Sequence, residues 1–202
     1  MIEVEAIARL HETTTRQWHQ DGTENPYEGF LLLVCRQHEQ NYRLWHQEDI
    51  ARSPHVADAE LAQVKRTIDR LNQQRNDLIE QLDDYLIQEL RNAGVRPWPE
   101  ARLNTETPGS VIDRLSILAL RIYHMEKQAG RGDATDQHRA KAKARLEILR
   151  AQHADLCMSL GELLEDIFAG RKRLQVYRQF KMYNDPTMNP YLYQAGTKLK
   201  AG

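Results

Sequence analysis

Two histidines and two arginines carry the chemistry this sequence could perform. His38 and His124 are candidate general bases, because an imidazole changes charge near neutral pH. Arg75 and Arg121 could clamp a phosphate or carboxylate through charge-assisted hydrogen bonds. Asn41, Asn72 and Asn76 add neutral donors and acceptors, and Trp45 offers a stacking face. Such a set could bind a phosphorylated or sugar-bearing ligand. It could also serve a hydrolase or transferase acting on a nucleotide sugar or sugar phosphate, with a histidine as base and the two arginines as clamp.

What groups these residues is depth along two helices. A 4-3 spacing from Tyr27 selects Leu31, Val34, His38, Asn41, Trp45, Glu48 and Arg52. The next segment repeats it with Leu61, Val64, Ile68, Leu71, Arg75, Leu78 and Leu82, with Asn72 beside Arg75. A short turn near His55 pairs the two segments antiparallel. His38 then falls opposite Asn72 and Asn41 opposite Asp69, with Arg75 and Asn76 one turn away. Polar groups on an apolar seam need partners. They line a site, or they fix helix register as a buried asparagine does in coiled coils. The second alternative makes the chain a structural interaction module.

No metal or cofactor is expected. His46 and Asp49, one turn apart, are the nearest approach to a chelating pair. Their natural complement, Glu80 and Asp83, lies more than roughly 20 Å away along the helix axis. His38 and His46 are themselves about 12 Å apart, too far for one ion. Cys35 and Cys157 both fall inside predicted helices and lack metal spacing. No glycine-rich phosphate loop or nucleophile elbow is present. Asp113 reads as a helix-capping acid, Arg114 and Arg121 share a stripe, and His153 reads as a core histidine.

The positioning elements are all helical. A first helix runs from about Glu3 to Gln20 with Ile7, Leu10, Thr14 and Trp18 on one face. Asn25-Pro26-Tyr27-Glu28 reads as the reciprocal cap of a second, which ends near Arg52. Asp58 caps a third that reaches Asn92, with Gly94 as its left-handed stop. Pro97, Pro99 and Pro108 mark a long connection over 95–109. Ser110 to Asp113 is the next capping signal, and Val111, Leu115, Leu118, Ile122 and Met125 form the fourth seam. A fifth helix starts near Thr135. Its seam of Ala142, Leu146, Leu149, His153, Leu156, Leu160, Leu163, Ile167, Gly170, Leu174 and Tyr177 predicts one helix to about Tyr183. The fold class is therefore all-α, an antiparallel bundle of about five main helices with long third and fifth members. Residues 1–183 form the domain and 184–202 a basic tail. The fifth helix would overhang the fourth by several turns if the 95–109 loop is local. Burying its seam then calls most simply for a homodimer through that helix, or else the loop carries the fourth helix to the other end and removes the overhang.

The chain has 202 residues, 41% hydrophobic and 28% charged, at net charge −1. Residues 171–202 hold seven Lys/Arg (Arg171, Lys172, Arg173, Arg178, Lys181, Lys198, Lys200) against Asp185, a balance of +6 that leaves −7 on the rest. Helix-end cations and a solvated tail account for this, and nucleic acid ranks last among partners because no aromatic platform accompanies the charge. The start, Met1-Ile2-Glu3-Val4-Glu5, is acidic and lacks a signal-peptide core, and no apolar run could span a bilayer. The expected compartment is the cytoplasm.

Four stretches carry a family likeness: Asn25-Pro-Tyr-Glu28, Leu44-Trp-His-Gln-Glu-Asp49, Asn72-Gln-Gln-Arg-Asn-Asp77, and Glu106-Thr-Pro-Gly-Ser-Val-Ile-Asp-Arg-Leu-Ser-Ile117 running on to Ile122-Tyr-His-Met125. Over roughly residues 24–185 the sequence resembles an uncharacterised family of bacterial all-helical proteins, a domain of unknown function. Glu106-Thr-Pro-Gly-Ser110 is its most specific part. Members are often encoded beside glycosyltransferases of lipopolysaccharide and other surface glycans. The resemblance implies a glycan-biosynthesis setting, with a glycosyltransferase or a phosphorylated sugar as partner. It carries no catalytic residues over.

Overall fold

The computed structural model describes residues 2–179, 182 and 185–194. Lys181 and Tyr183 of the expected helix end, and Lys198 and Lys200 of the expected tail, lie outside the described residues. The expected five helices are α1 (Val4–Asp21), α2 (Gly29–Ala51), α3 (Asp58–Asn92), α4 (Pro108–Ala129) and α5 (Asp136–Phe168). None of the described helices is long and apolar enough to cross a membrane.

Two antiparallel hairpins, α2–α3 and α4–α5, form the body, and α1 packs against α2, α4 and α5. Thr15 meets His38 and His19 meets His46, so α1 and α2 run in the same direction. The segment 22–28 carries the chain back between them. α4 packs against each of the other four helices. Its own sequence accounts for this: Val111, Leu115 and Leu118 make one buried stripe, and Ile112, Ser116, Ala119 and Leu120 make a second. A helix apolar on two stripes has to be central. The main core joins Ile7 and Leu10 of α1, Phe30 and Val34 of α2, Leu82 and Leu86 of α3, Ile112 and Leu115 of α4, and Leu160 to Ile167 of α5. A smaller cluster of Leu44, Val64, Ile68 and Leu71 closes the α2–α3 hairpin at the register its turn predicts.

Both long helices end in the same way. At α3 the Gly94 amide donates to Arg91 O and the Val95 amide to Leu90 O, with Gly94 at φ 66°. At α5 the Gly170 amide donates to Ile167 O and the Arg171 amide to Asp166 O, with Gly170 at φ 76°. These are paired Schellman closures, in which the left-handed glycine lets the last carbonyls find donors. The expectation of one helix to Tyr183 is thus corrected at Phe168. Leu174 still packs on the core, so the apolar phase persists while the helix does not. Lys172–Arg173 (β2) instead pairs in parallel with Arg102–Leu103 (β1), a two-residue ladder that the sequence pattern did not announce. At 33 residues α5 is still longer than the 22 of α4, but its far end is covered by the chain's own core. The seam residues Leu160, Leu163 and Ile167 are buried within the chain, so packing no longer calls for a dimer through this helix.

Three caps differ from expectation. Asn25 accepts from the Tyr27 amide and donates to Leu32 O, so it forms its own turn, and α2 begins only at Gly29. Ala57 holds the N-cap position of α3, and Asp58 is its first helical residue. The α4 cap is Thr107, whose hydroxyl accepts from the Ser110 amide, with Pro108 as the first helical residue. Glu106 and Gly109 complete that stretch. Glu106 takes both its oxygens to Arg114, at 2.6 and 2.9 Å. Gly109 brings the α4 start against α3: a Cβ there would stand 2.7 Å from Ile79 O and 2.9 Å from Asp83 Cγ. The buried Asp83 accepts from the Gly109 amide at 2.7 Å, an acid at the positive end of a helix. Burial pushes its carboxyl up to about 6. The most distinctive motif of the sequence is therefore a helix-docking device.

Candidate functional site

The polar residues of α2 and α3 do reach one centre, and that centre is Asp113 of α4. Gln37 and Asn41 donate to Asp113 Oδ1 at 2.6 and 2.9 Å. Arg75 Nε donates to the same oxygen at 2.7 Å, and Arg75 Nη2 to Oδ2. Asn41 also donates to Ser116 Oγ at 2.9 Å. Ser116 Oγ lies 2.7 Å from His38 Nδ1, and His38 Nε2 lies 2.9 Å from Thr15 Oγ1. Four helices are tied in this layer. His38, Gln37 and Ser116 are wholly buried, Asn41 and Asp113 nearly so. Burial pushes the His38 imidazole down to about 3, so it is uncharged at neutral pH. The Asp113 hydrogen bonds hold the Arg75 guanidinium above its usual range. A buried carboxylate is costly unless charge and donors surround it, and here both do.

The register of the α2–α3 hairpin places the seams level, as expected, but His38 turns toward α1 and α4 and away from α3. Its ring stacks on Trp18 at 5.1 Å and lies tilted against His11 at 4.7 Å. Asp113 is consequently the hub of the layer and not the cap acid of α4. Asn72 and Asn76 are half-buried on α3 near Arg75. Sequence reasoning missed Gln37, Thr15 and Ser116. The available signal was the second stripe of α4, which carries Ser116 and points toward α2.

A different constellation lies two turns further along, where α1, α2 and α4 meet without α3. His124 stacks flat on Trp45, with ring centroids 4.4 Å apart and planes at 3°. His19 lies 5.1 Å from His124 and 5.3 Å from His46, and His46 lies 6.5 Å from His124. Tyr42 and Tyr123 flank His19 at 5.0 and 4.2 Å. The Nε2 atoms of all three histidines are buried without a hydrogen-bond partner. Burial pushes His124 down to about 4 and His46 below its usual range, with His19 adding to both and Asp49 opposing. Among the described residues no group of three or more His, Cys, Asp or Glu side chains could hold a metal ion. Asp49 is exposed one turn beyond His46. Glu80 and Asp83 are engaged elsewhere, with Arg178 and Gly109.

Arg121 does not join either group. Three residues before His124 on α4, it faces away into a groove of about 490 Å³ between α4 and α5, with Arg114, Gln152, Asp155 and Ser159. His153 lies half-buried on α5, its Nδ1 3.7 Å from Cys157 Sγ. Burial pushes the Cys157 thiol up, which leaves it protonated and unreactive.

The polar hub, the α4 cap and the histidine junction draw on residues from three of the four stretches of the family likeness; Asn25-Pro-Tyr-Glu28 contributes to none of them. No curated protein and no solved structure matches the chain. Residues 32–176 match the family described as protein of unknown function (DUF4254), and the chain belongs to that family.

Proposed function

We propose that the chain is a cytoplasmic accessory protein of bacterial cell-surface glycan assembly, a binding module and not a catalyst. One observation carries this reading: the candidate base His38 and the candidate clamp Arg75 are engaged by the protein itself, and the unbonded Nε2 of the other candidate base, His124, is buried. Both His38 nitrogens and the Arg75 guanidinium are committed inside the Asp113 layer. A base or clamp must meet its substrate, and these meet only the protein. The glycan setting rests on the resemblance carried by Glu106-Thr-Pro-Gly-Ser110 and its companion stretches. A phosphorylated sugar is then held at the α4–α5 groove, where Arg121 is exposed and Arg114, Gln152 and Ser159 supply further donors. Convergence of Arg121 with His124, which sugar-nucleotide chemistry would need, is opposed by their facing different sides of α4.

Titration of the purified chain with a panel of nucleotide sugars tests this, with turnover followed in parallel. The accessory reading expects no turnover. It also expects affinity to be lost in Arg121→Ala and kept in Arg75→Ala, which loses stability instead. Turnover abolished by His38→Gln or His124→Gln would overturn it.

A further inference from the structure

Histidines from three helices meet at one junction with a single carboxylate near them. His19 comes from α1, His46 from α2 and His124 from α4, and their rings lie 5.1 to 6.5 Å apart. His19 Nδ1 lies 2.7 Å from Thr15 O, and a carbonyl can only accept, so this nitrogen carries the proton. Nε2 of this ring is buried and unpartnered like the Nε2 atoms of His46 and His124, and it is the atom at which a proton would add. These buried atoms line none of the four grooves along the bundle, and the smallest ligand that seeks imidazole lone pairs is a proton.

The neighbouring charges determine what protonation does. From α2 the junction is faced by Tyr42, Trp45 and Asp49, and from α4 by Tyr123, whose ring lies 5.3 Å from Lys127 Nζ. On α1, Arg16 is paired with Glu12 and with Glu126 of α4, and Glu126 also takes Arg150 of α5. Asp49 is thus the one carboxylate that favours charged His46 and His124. A second imidazolium would have no counter-charge, and like charges held at these distances repel.

We propose that this junction is a proton-operated latch on α1: uncharged imidazoles hold the C-terminal half of the helix against α2 and α4, and acid releases it. The sign follows from linkage. In the docked state burial depresses His46 and His124, the latter to about 4, whereas a released histidine titrates near its ordinary value of about 6.5. Docking is fully favourable above that value and weakens as the pH falls toward 4. His11 and His38 also join α1 to α2 and are likewise depressed, so acid acts on the helix at two levels.

Hydrogen exchange on the full chain between pH 7.5 and 4.5, corrected for intrinsic rates, tests the latch. Amides 14–21 should lose protection by about tenfold or more while those of α4 and α5 keep theirs. Asp49→Asn, at an exposed position, removes the opposing carboxylate, depresses the docked histidines further and should move the release midpoint to higher pH. The triple variant His19→Gln, His46→Gln, His124→Gln should shrink the response of amides 14–21 to the part that His11 and His38 contribute. Protection lost in step across all helices would overturn the proposal, since it would mean global acid unfolding through His11 and His38. An Asp49→Asn midpoint unmoved or shifted to lower pH would overturn it as well, and needs no fold beyond that of the parent chain.

Discussion

The Asp113 layer and the histidine junction lie two turns apart and share α1, α2 and α4, yet they handle buried polarity in opposite ways. In the layer a carboxylate collects donors from Gln37, Asn41 and Arg75, and of the residues bonded into it Gln37 Oε1 is left without a partner, as are both nitrogens of the adjoining His11. In the junction three imidazole nitrogens are buried and none is bonded. The first arrangement is expensive to break, because any loss leaves a charge stranded. The second is inexpensive at neutral pH, because its members are uncharged, and becomes expensive only on protonation. One region specifies the bundle, while the other makes its stability respond to pH.

The largest effect should come from Asp113→Ala, which strands the Arg75 guanidinium and the amides of Gln37 and Asn41. A loss of about 3–5 kcal/mol in urea unfolding is expected. Gly109→Ala should follow at about 1–3 kcal/mol, because its Cβ meets the Ile79 carbonyl, a backbone group that cannot turn aside. That change pries the start of α4 from α3 and so strains the layer from outside. His124→Gln should be mild at pH 7.5, about 0.5–1.5 kcal/mol, the worth of its stack on Trp45.

The smallest expected change is one of slope. Depressed His38 and His124 supply stability that is complete above about pH 6.5 and is lost as the pH falls toward 4. Asp83, raised to about 6, works the other way, since its contribution is greatest in acid and is lost as the pH climbs through 6. Asp83→Asn should therefore steepen the acid-side decline of the unfolding free energy, read from denaturation curves at several pH values.

Much of the fold was legible because helix seams and glycine stops are local signals. Gly94 was read correctly for that reason, and Gly170 closes α5 by the same hydrogen bonds. It was overlooked because Leu174 and Tyr177 happen to continue the apolar phase. The depth of the polar layer was legible in α2 and α3. Its hub was not, because Asp113 sits near a helix start and carries a capping signature that Thr107 fulfils instead. Periodicity shows which residues face inward, but not which third helix they meet. His19 illustrates this, since it lies one residue past the seam of α1 and gains its neighbours only when α2 and α4 arrive.

A double-mutant cycle of Arg75→Ala and Asp113→Ala on the unfolding free energy tests most directly whether the layer is a packing determinant. Strong coupling is predicted: the double variant should be about as stable as either single, or more so, because each single change strands the other partner. Two small and additive losses would contradict the account, since they would show that the Asp113 layer does not hold the bundle together.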